Sequence, residues 1–333
     1  MTEYDVYALG NALLDIEFEI SPEVLENLGI DKGVMTLLDQ DSQDKIVSNL
    51  AKYDQKRSCG GSAANTLIAI SQFGGKAFYS CKVADDEPGQ FYTKDLIDCG
   101  VATNLENHTP ESGVTGKCLV FVTPDADRTM NTFLGISGNF SDQELVPEVI
   151  ENAEYTYIEG YLVSGESSKQ AAIKAREMAQ AAGKKVAFTL ADFNMVKFFK
   201  PGLLEIIGSG VDFLFANESE ALLMADTEDF DTAVDYLKTI AKGFAVTRGA
   251  AGSVVFDGEQ LISIEPFPVK AIDTVGAGDM YAGAFLYGIT NGMSYEESGR
   301  LASLASSTIV TTLGARMKTN EVQALLNQLK VKS

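Results

Sequence analysis

Histidine is almost missing from this chain: of 333 residues, only His108 is one. A Ser-His-Asp or Cys-His mechanism would have to use that residue, and no G-x-S-x-G elbow or partner motif accompanies it. His108 lies between Asn107 and Thr109 in a polar, proline-containing segment, which reads as surface loop. General base work therefore falls to carboxylates, or to Lys, Tyr or Cys. Cysteine is scarce too. The four present, Cys59, Cys81, Cys99 and Cys118, form no C-x-x-C and no Cys/His spacing suited to a metal, so they read as reduced thiols. Basic residues are outnumbered by 47 acidic to 26 basic, giving a formal charge of −21. That balance argues against nucleic acid or an anionic membrane as partner, because phosphate contacts need clustered Lys and Arg. A phosphorylated small ligand stays open, since a few backbone N–H groups and Mg²⁺ can hold one. No apolar run approaches the ~20 residues that span a bilayer. The start, Met1-Thr2-Glu3-Tyr4-Asp5, has neither the basic nor the apolar part of a signal peptide. A cytoplasmic protein is expected. Three nucleotide signatures are also absent: the P-loop G-x-x-x-x-G-K-S/T, the protein-kinase H-R-D and D-F-G sets, and G-x-G-x-x-G at the first strand-turn.

What the chain does have is a steady alternation of apolar runs and amphipathic stretches, without repeats. Val6–Leu9 reads as a buried strand ending at Gly10. A helix is expected after Gly60-Gly61, stopped by Gly74-Gly75 as a permissive C-terminal pair. Ala77–Val83 reads as a strand and Pro88–Cys99 as a helix; Tyr155–Glu159, Lys185–Leu190, Val211–Ala216 and Phe244–Thr247 then read as strands with helices between them. Three helical stretches close the chain near Gly276–Thr290, Tyr295–Thr312 and Asn320–Leu329. Such alternation implies an α/β fold with a mainly parallel sheet covered on both faces. Two excursions, near residues 15–38 and 113–134, break the rhythm. The second reads as a β-hairpin turning at Pro124–Arg128, and together they would form a small β-sheet lid. No Pro/Gly/Ser-rich linker sets them apart, so residues 1–333 are expected to form one domain.

The most informative run is Asp273-Thr274-Val275-Gly276-Ala277-Gly278-Asp279, leading into Met280, Tyr281, Ala284 and Phe285 at helical spacing. A helix that begins there has unpaired N–H groups in its first turn and the positive end of its dipole. Gly276, Ala277 and Gly278 carry almost no side chain to keep an anion from those groups, which makes an anion hole suited to a transferring phosphoryl group. Asp279 stands at the same helix start, where it could take a proton from an attacking hydroxyl. The dipole would favour its ionised form and weaken it as a base. On spacing alone, a glycine-rich turn capped by Asp remains an equal description.

The run from Asp273 to Leu286 resembles the C-terminal signature of the ribokinase/PfkB carbohydrate kinase family, D-T-x-G-A-G-D followed by a helix rich in small residues. Three further segments stand in that family's order: Gly60-Gly61-Ser62-Ala63-Ala64-Asn65-Thr66 is similar to its diglycine motif, Asn217-Glu218-Ser219-Glu220 to its N-x-x-E motif, and Thr247-Arg248-Gly249-Ala250-Ala251-Gly252 to its nucleotide turn. The resemblance covers essentially the whole chain and is nearest to the adenosine kinase-like branch. It implies a ribokinase-like fold and a kinase using ATP and Mg²⁺, with Asp279 as catalytic base and Gly276, Ala277 and Gly278 as anion hole. It implies that Gly60, Gly61, Asn65, Asp15 and its helper Asn11 contact the acceptor's hydroxyls. Asn217 and Glu220 would order Mg²⁺ and its waters, Glu220 through water, while Thr247, Gly249 and Gly252 would border the nucleotide. As plain sequence, Asn217–Glu220 is equally a good helix N-cap. Arg128, in the hairpin, either approaches a ligand phosphate or is a solvated turn residue.

Relatives of this kind often hold a monovalent cation beside the anion hole. Asp273 and Gly314 occupy corresponding places, but Gly314-Ala315-Arg316-Met317 departs from the usual ending, so K⁺ stays an open expectation, with Arg316 expected to fill part of that region. The expected reaction is transfer of the ATP γ-phosphoryl group to a primary hydroxyl of a ribose-containing molecule, a nucleoside such as adenosine being favoured. The alternative is a free sugar such as ribose or fructose, and a non-catalytic ligand-binding relative comes after both. The expected assembly is a monomer, or a homodimer formed through the lid.

Overall fold

The computed structural model describes residues 2–33, 35–107, 111–124 and 128–331, with only the backbone of Arg128, Lys330 and Val331. His108 and most of the expected hairpin turn lie outside them. The strands run in chain order as β1 (Tyr4–Leu9), β2 (Leu13–Glu19), β3 (Met35–Leu37), β4 (Gln55–Gly60), β5 (Ala77–Ser80), β6 (Ala102–Thr103) and β7 (Thr115–Val122). They continue as β8 (Arg128–Gly135), β9 (Ala153–Glu159), β10 (Lys185–Thr189), β11 (Val211–Asn217), β12 (Ala241–Thr247), β13 (Ser253–Phe256) and β14 (Leu261–Ile264).

The larger sheet has the order β14-β13-β12-β11-β10-β9-β1-β5-β6. All pairings from β12 to β6 are parallel; only β13 and β14 run antiparallel at one edge. Its central strands are buried on both sides, which is why they read as continuous apolar runs rather than alternating ones. On one face Phe213, Phe215 and Val255 pack with Leu67, Phe285 and Leu301 from the helices Ser62–Phe73, Ala277–Thr290 and Tyr295–Ile309. On the other, Leu9, Ile158 and Phe188 meet Ala175, Leu203 and Leu237 from the helices Glu166–Ala181, Phe193–Ile207 and Phe230–Ile240. This is the α/β architecture the alternation implied, and the ribokinase-like one the family resemblance implied. Parallel strands end on the same edge, so the residues just after β1, β9, β10, β11 and β12 converge there.

The smaller sheet has the order β3-β8-β7-β2-β4. The hairpin expected over residues 113–134 is there, β7 pairing antiparallel with β8 through Lys117 and Phe133. The alternation in β2 sends Leu14, Ile16 and Phe18 into a small core with Leu25, Ile46, Leu119 and Phe121, beneath the helices Pro22–Leu28 and Gln40–Asn49. The period of two leaves Leu13 and Asp15 on the opposite face, toward the edge where the large-sheet strands end.

Candidate active site

That edge and the apolar face of the smaller sheet enclose a cleft of about 420 Å³, within the range of small-molecule sites. Asn11 enters it after β1, Glu159 at the end of β9, Asp192 after β10, Asn217 at the end of β11 and Thr247 at the end of β12. The smaller sheet contributes Leu13, Asp15, Met35, Leu37, Cys118, Met130, Thr132 and Leu134.

The helix Ala277–Thr290 begins at Gly276, which has a left-handed φ of 74°, and no side chain caps its first turn. A Cβ on Gly276 would lie 2.8 Å from the Ala315 backbone, so only glycine fits this start. Around Gly278 there is open space, and it faces the cleft with Gly276 and Asp279. Ala277 instead packs against the core. The uncapped first turn therefore presents its amides to whatever fills the cleft, as an anion site requires, that of Ala277 also donating to Thr274 O at 3.3 Å.

Asp279 is held from both sides by the helix Ser62–Phe73: Ser62 Oγ donates to its Oδ1 at 2.6 Å and Asn65 Nδ2 to its Oδ2 at 3.2 Å. The carboxyl opens on the cleft yet is surrounded by protein, and this desolvation pushes its pKa up to about 6 against the lowering by the two hydrogen bonds. The helix dipole was expected to favour the ionised form and weaken Asp279 as a base; burial, which the sequence expectation did not weigh, acts in the opposite direction.

The diglycine lies where two other groups need its lack of side chains. A Cβ on Gly60 would fall 2.3 Å from the Asp15 carboxyl, and one on Gly61, whose φ is 100°, 2.2 Å from the Asn11 carbonyl oxygen. Asp15, Asn11, Gly60, Gly61 and Asn65 are thus brought together, as the family motif implied. Glu159, which sequence reasoning missed, ties them: its carboxylate accepts from Asn11 N at 2.6 Å and Ala63 N at 2.9 Å. Burial pushes its pKa up to about 7, with Asp279's charge adding to the rise.

At the other end of the cleft Asn217 and Glu220 cap the helix Glu218–Met224 reciprocally. Asn217 Oδ1 accepts from Glu220 N at 2.9 Å, while Glu220 accepts from Asn217 N at 2.9 Å and Nδ2 at 2.6 Å. The pair forms the helix N-cap that the plain sequence offered, and it also lines the cleft. Burial raises the Glu220 pKa to about 7; a buried carboxyl that resists ionising alone, beside an amide oxygen, is a fitting donor set for a hydrated cation. Thr247 lines the cleft, whereas Gly249 and Gly252 shape the turn beyond it, both with positive φ. Arg128 opens β8, and its side chain lies outside the described atoms.

Asp273 is buried and braces the loop before the Ala277 helix, accepting from Val275 N at 3.0 Å and Gly314 N at 2.7 Å. Arg316 does not fill that region. Its guanidinium reaches behind the diglycine, where Nε donates to Asn65 Oδ1 at 3.3 Å and Nη1 to Asp95 Oδ2 at 3.1 Å. Ser62, Glu159, Asp192 and Arg316 are among the site neighbours that sequence reasoning did not single out as ligands; Ser62 carried a signal as part of the diglycine motif, and Arg316 as a departure from the usual ending.

Residues 33–321 match the family described as pfkB family carbohydrate kinase, and the chain belongs to that family. Its members are phosphotransferases acting on alcohol groups, and the protein is a kinase of sugars or nucleosides. Among solved structures, adenosine kinase from Sinorhizobium meliloti is 36% identical, with a TM-score of 0.89 and coverage of 98% of this chain and 99% of that one. A probable sugar kinase from Rhizobium etli is 32% identical, with a TM-score of 0.90 and coverage of 99% and 100%. Among curated relatives, the 5-dehydro-2-deoxygluconokinase of Clostridium beijerinckii is 28% identical over 292 residues, 83% of this chain and 85% of that protein. Kinases of this family use ATP and Mg²⁺. Among the described residues no helix is long and apolar enough to cross a membrane.

Proposed function

We propose that this kinase phosphorylates the primary hydroxyl of a ribose-containing nucleoside such as adenosine, with ATP as donor. The observation that carries the choice of acceptor is the cleft wall. Leu13, Met35, Leu37, Met130 and Leu134 give an apolar slot beside Asp15, and the described lining contains no Lys, Arg or His. A flat, uncharged base suits such a slot, and two vicinal ribose hydroxyls suit an ionised Asp15. An anionic acceptor, such as the sugar acid named by the Clostridium relative, would meet Asp15, Glu159 and Asp279, while the Arg316 guanidinium behind Asn65 lies outside the lining and is paired with Asp95. A free sugar such as ribose or fructose, the second reading, would leave the apolar slot unfilled.

In this reading Asn11, Asp15, Asn65 and the Gly60-Gly61 backbone hold the acceptor. Asp279 accepts the proton of the attacking hydroxyl, and the amides of Gly276, Ala277 and Gly278 face the charge that develops on the transferring group. Asn217 and Glu220 would hold Mg²⁺, Glu220 through water, and Thr247, Gly249 and Gly252 border the nucleotide. Bound Mg²⁺ supplies the neutralising charge on the triphosphate that no described side chain of the cleft can supply. Asp273 stays the candidate K⁺ ligand, and Arg128 a candidate contact to phosphate. The smaller sheet, as a lid within one kinase domain, keeps water from the reaction. The reading is of a cytoplasmic enzyme without nucleic-acid partners, monomeric or dimeric through the lid.

ADP release should be measured with adenosine, other nucleosides, ribose, fructose and 5-dehydro-2-deoxygluconate at equal concentrations. The expected result is the highest kcat/KM with a nucleoside. A free sugar or the sugar acid outperforming every nucleoside would overturn the assignment.

A further inference from the structure

Cys59 precedes the diglycine at the end of β4, and Cys99 caps the C-terminus of the helix Glu87–Asp98. Nothing in their spacing links them, yet the fold places both on one guanidinium. Arg316 Nη2 donates to Cys59 Sγ at 2.9 Å and Nη1 lies 3.9 Å from Cys99 Sγ. The two sulfurs thus share one guanidinium, and Asp95, which accepts from Arg316 Nη1 at 3.1 Å, also accepts from the Cys59 backbone N–H at 2.8 Å. Cys59 is fully buried, whereas Cys99 is partly exposed.

We propose that Cys99 is a peroxide-reactive thiol and Cys59 its resolving partner, forming a reversible modification site directly behind the acceptor loop. The chemistry follows from the asymmetry of the two groups. Cys99 is the thiol that an oxidant can reach, and its interaction with Cys59 and the positive field of Arg316 lower its pKa against burial and the nearby Asp95 and Asp98. The C-terminal end of a helix disfavours an anion, so the guanidinium is what makes a thiolate tenable there. The Cys59 thiol is pushed up instead, first by donating to Cys99 and then by burial. Cys81 and Cys118 are buried, and burial pushes the Cys81 thiol well up.

The Cys99 thiolate attacks one oxygen of a peroxide. The S–O bond forms, the O–O bond breaks, and the departing oxygen leaves as water after taking up a proton. Cys59 then gives its proton to Asp95, and its sulfur attacks the Cys99 sulfenic acid. The S–S bond forms, the S–O bond breaks, and the oxygen leaves as a second water. The two thiols supply both electrons, and the peroxide is reduced. The linked sulfurs must come within about 2.05 Å of each other, and a disulfide sulfur is a far poorer hydrogen-bond acceptor for Arg316 than a thiolate. The same guanidinium holds Asn65 Oδ1 at 3.3 Å, and the Cys59 backbone N–H is anchored to Asp95 at 2.8 Å. Oxidation therefore disturbs Asn65 and Gly60-Gly61, the residues placed at the acceptor in the proposed function.

The reduced full-length protein should be exposed to hydrogen peroxide, alkylated, digested without reductant and read by mass spectrometry. A peptide linked through Cys59 and Cys99 is expected, lacking two hydrogens, forming before Cys81 or Cys118 oxidises and disappearing with dithiothreitol. Cys99→Ser should give no link. Cys59→Ser should leave a Cys99 sulfenic acid that dimedone traps. In the ADP assay the linked protein should show a roughly 2- to 10-fold higher acceptor KM, as for one lost hydrogen bond, reversed by reductant and absent in peroxide-treated Cys99→Ser. No linked peptide, or Cys99 oxidising no faster than Cys118, overturns the thiol pair. The linkage reading needs no kinase assay, so its failure is distinct from failure of the nucleoside assignment. A linked protein with unchanged KM overturns the coupling to the acceptor loop.

Discussion

A carboxylate at a helix N-terminus is ordinarily easier to ionise, because the macrodipole favours negative charge there. Asp279 goes the other way, its pKa raised to about 6 because desolvation exceeds what Ser62 and Asn65 give back. For a base the sign is simple: the active form is ionised, so kcat/KM should fall as pH drops through about 6 and level off above it. Asn65 donates to the carboxylate and so favours the charged form. Removing it in Asn65→Ala should move the acid limb of the kcat/KM profile to higher pH, besides raising the acceptor KM. A limb that stays in place would mean that the profile reports another group. The glycines around Asp279 made it legible in the sequence. Its supports were less so, since Ser62 is separated from it by 217 positions and Arg316 from Asn65 by 251. Such contacts exist only once the fold has closed.

At the scale of elements, the start of the helix Ala277–Thr290 separates two roles that the sequence motif merges. Gly276 is needed by the backbone: its φ is 74° and a Cβ would meet Ala315. Gly276→Ala should therefore lower both stability, by about 1–3 kcal/mol, and turnover. Gly278 has nothing within 4 Å of an added Cβ. Gly278→Ala should keep or raise Tm, since alanine is the better helix former, while turnover drops because the methyl group stands before the amides. Thermal unfolding beside steady-state kinetics separates the two; a Gly278→Ala protein with full activity would place the anion elsewhere. The parallel strands were readable because burial on both faces makes them continuous apolar runs. β4 was not, because its sequence, Gln55-Lys56-Arg57-Ser58-Cys59-Gly60, is polar and only its last two residues are buried. An edge strand needs a backbone partner, here β2, more than an apolar pattern. β13 and β14 escaped for a related reason: they are short, antiparallel and at the sheet's margin.

At the scale of the molecule, five strands of one sheet deliver polar groups to a common edge, and a second sheet covers that edge with an apolar face. This arrangement was legible as α/β alternation with two interruptions, but the cleft wall was not, because its residues alternate along strands scattered from Leu13 to Leu134. The overall charge of −21 recurs in the cleft, where the described lining is acidic. In the proposed function, binding to a triphosphate would then rest on amides and Mg²⁺ rather than on lysines. In the proposed function the covering sheet, through Asp15 and the slot, would serve acceptor binding, and the helix Ala277–Thr290, packed on the large sheet, would serve the chemistry through Asp279. The measurement that tests this division most directly is adenosine binding and turnover in Asp279→Asn, by titration calorimetry and ADP release on the same preparation. Adenosine should still bind within a few-fold of wild type, while kcat falls roughly 10²–10⁴-fold. Turnover close to wild type in that variant would contradict the account.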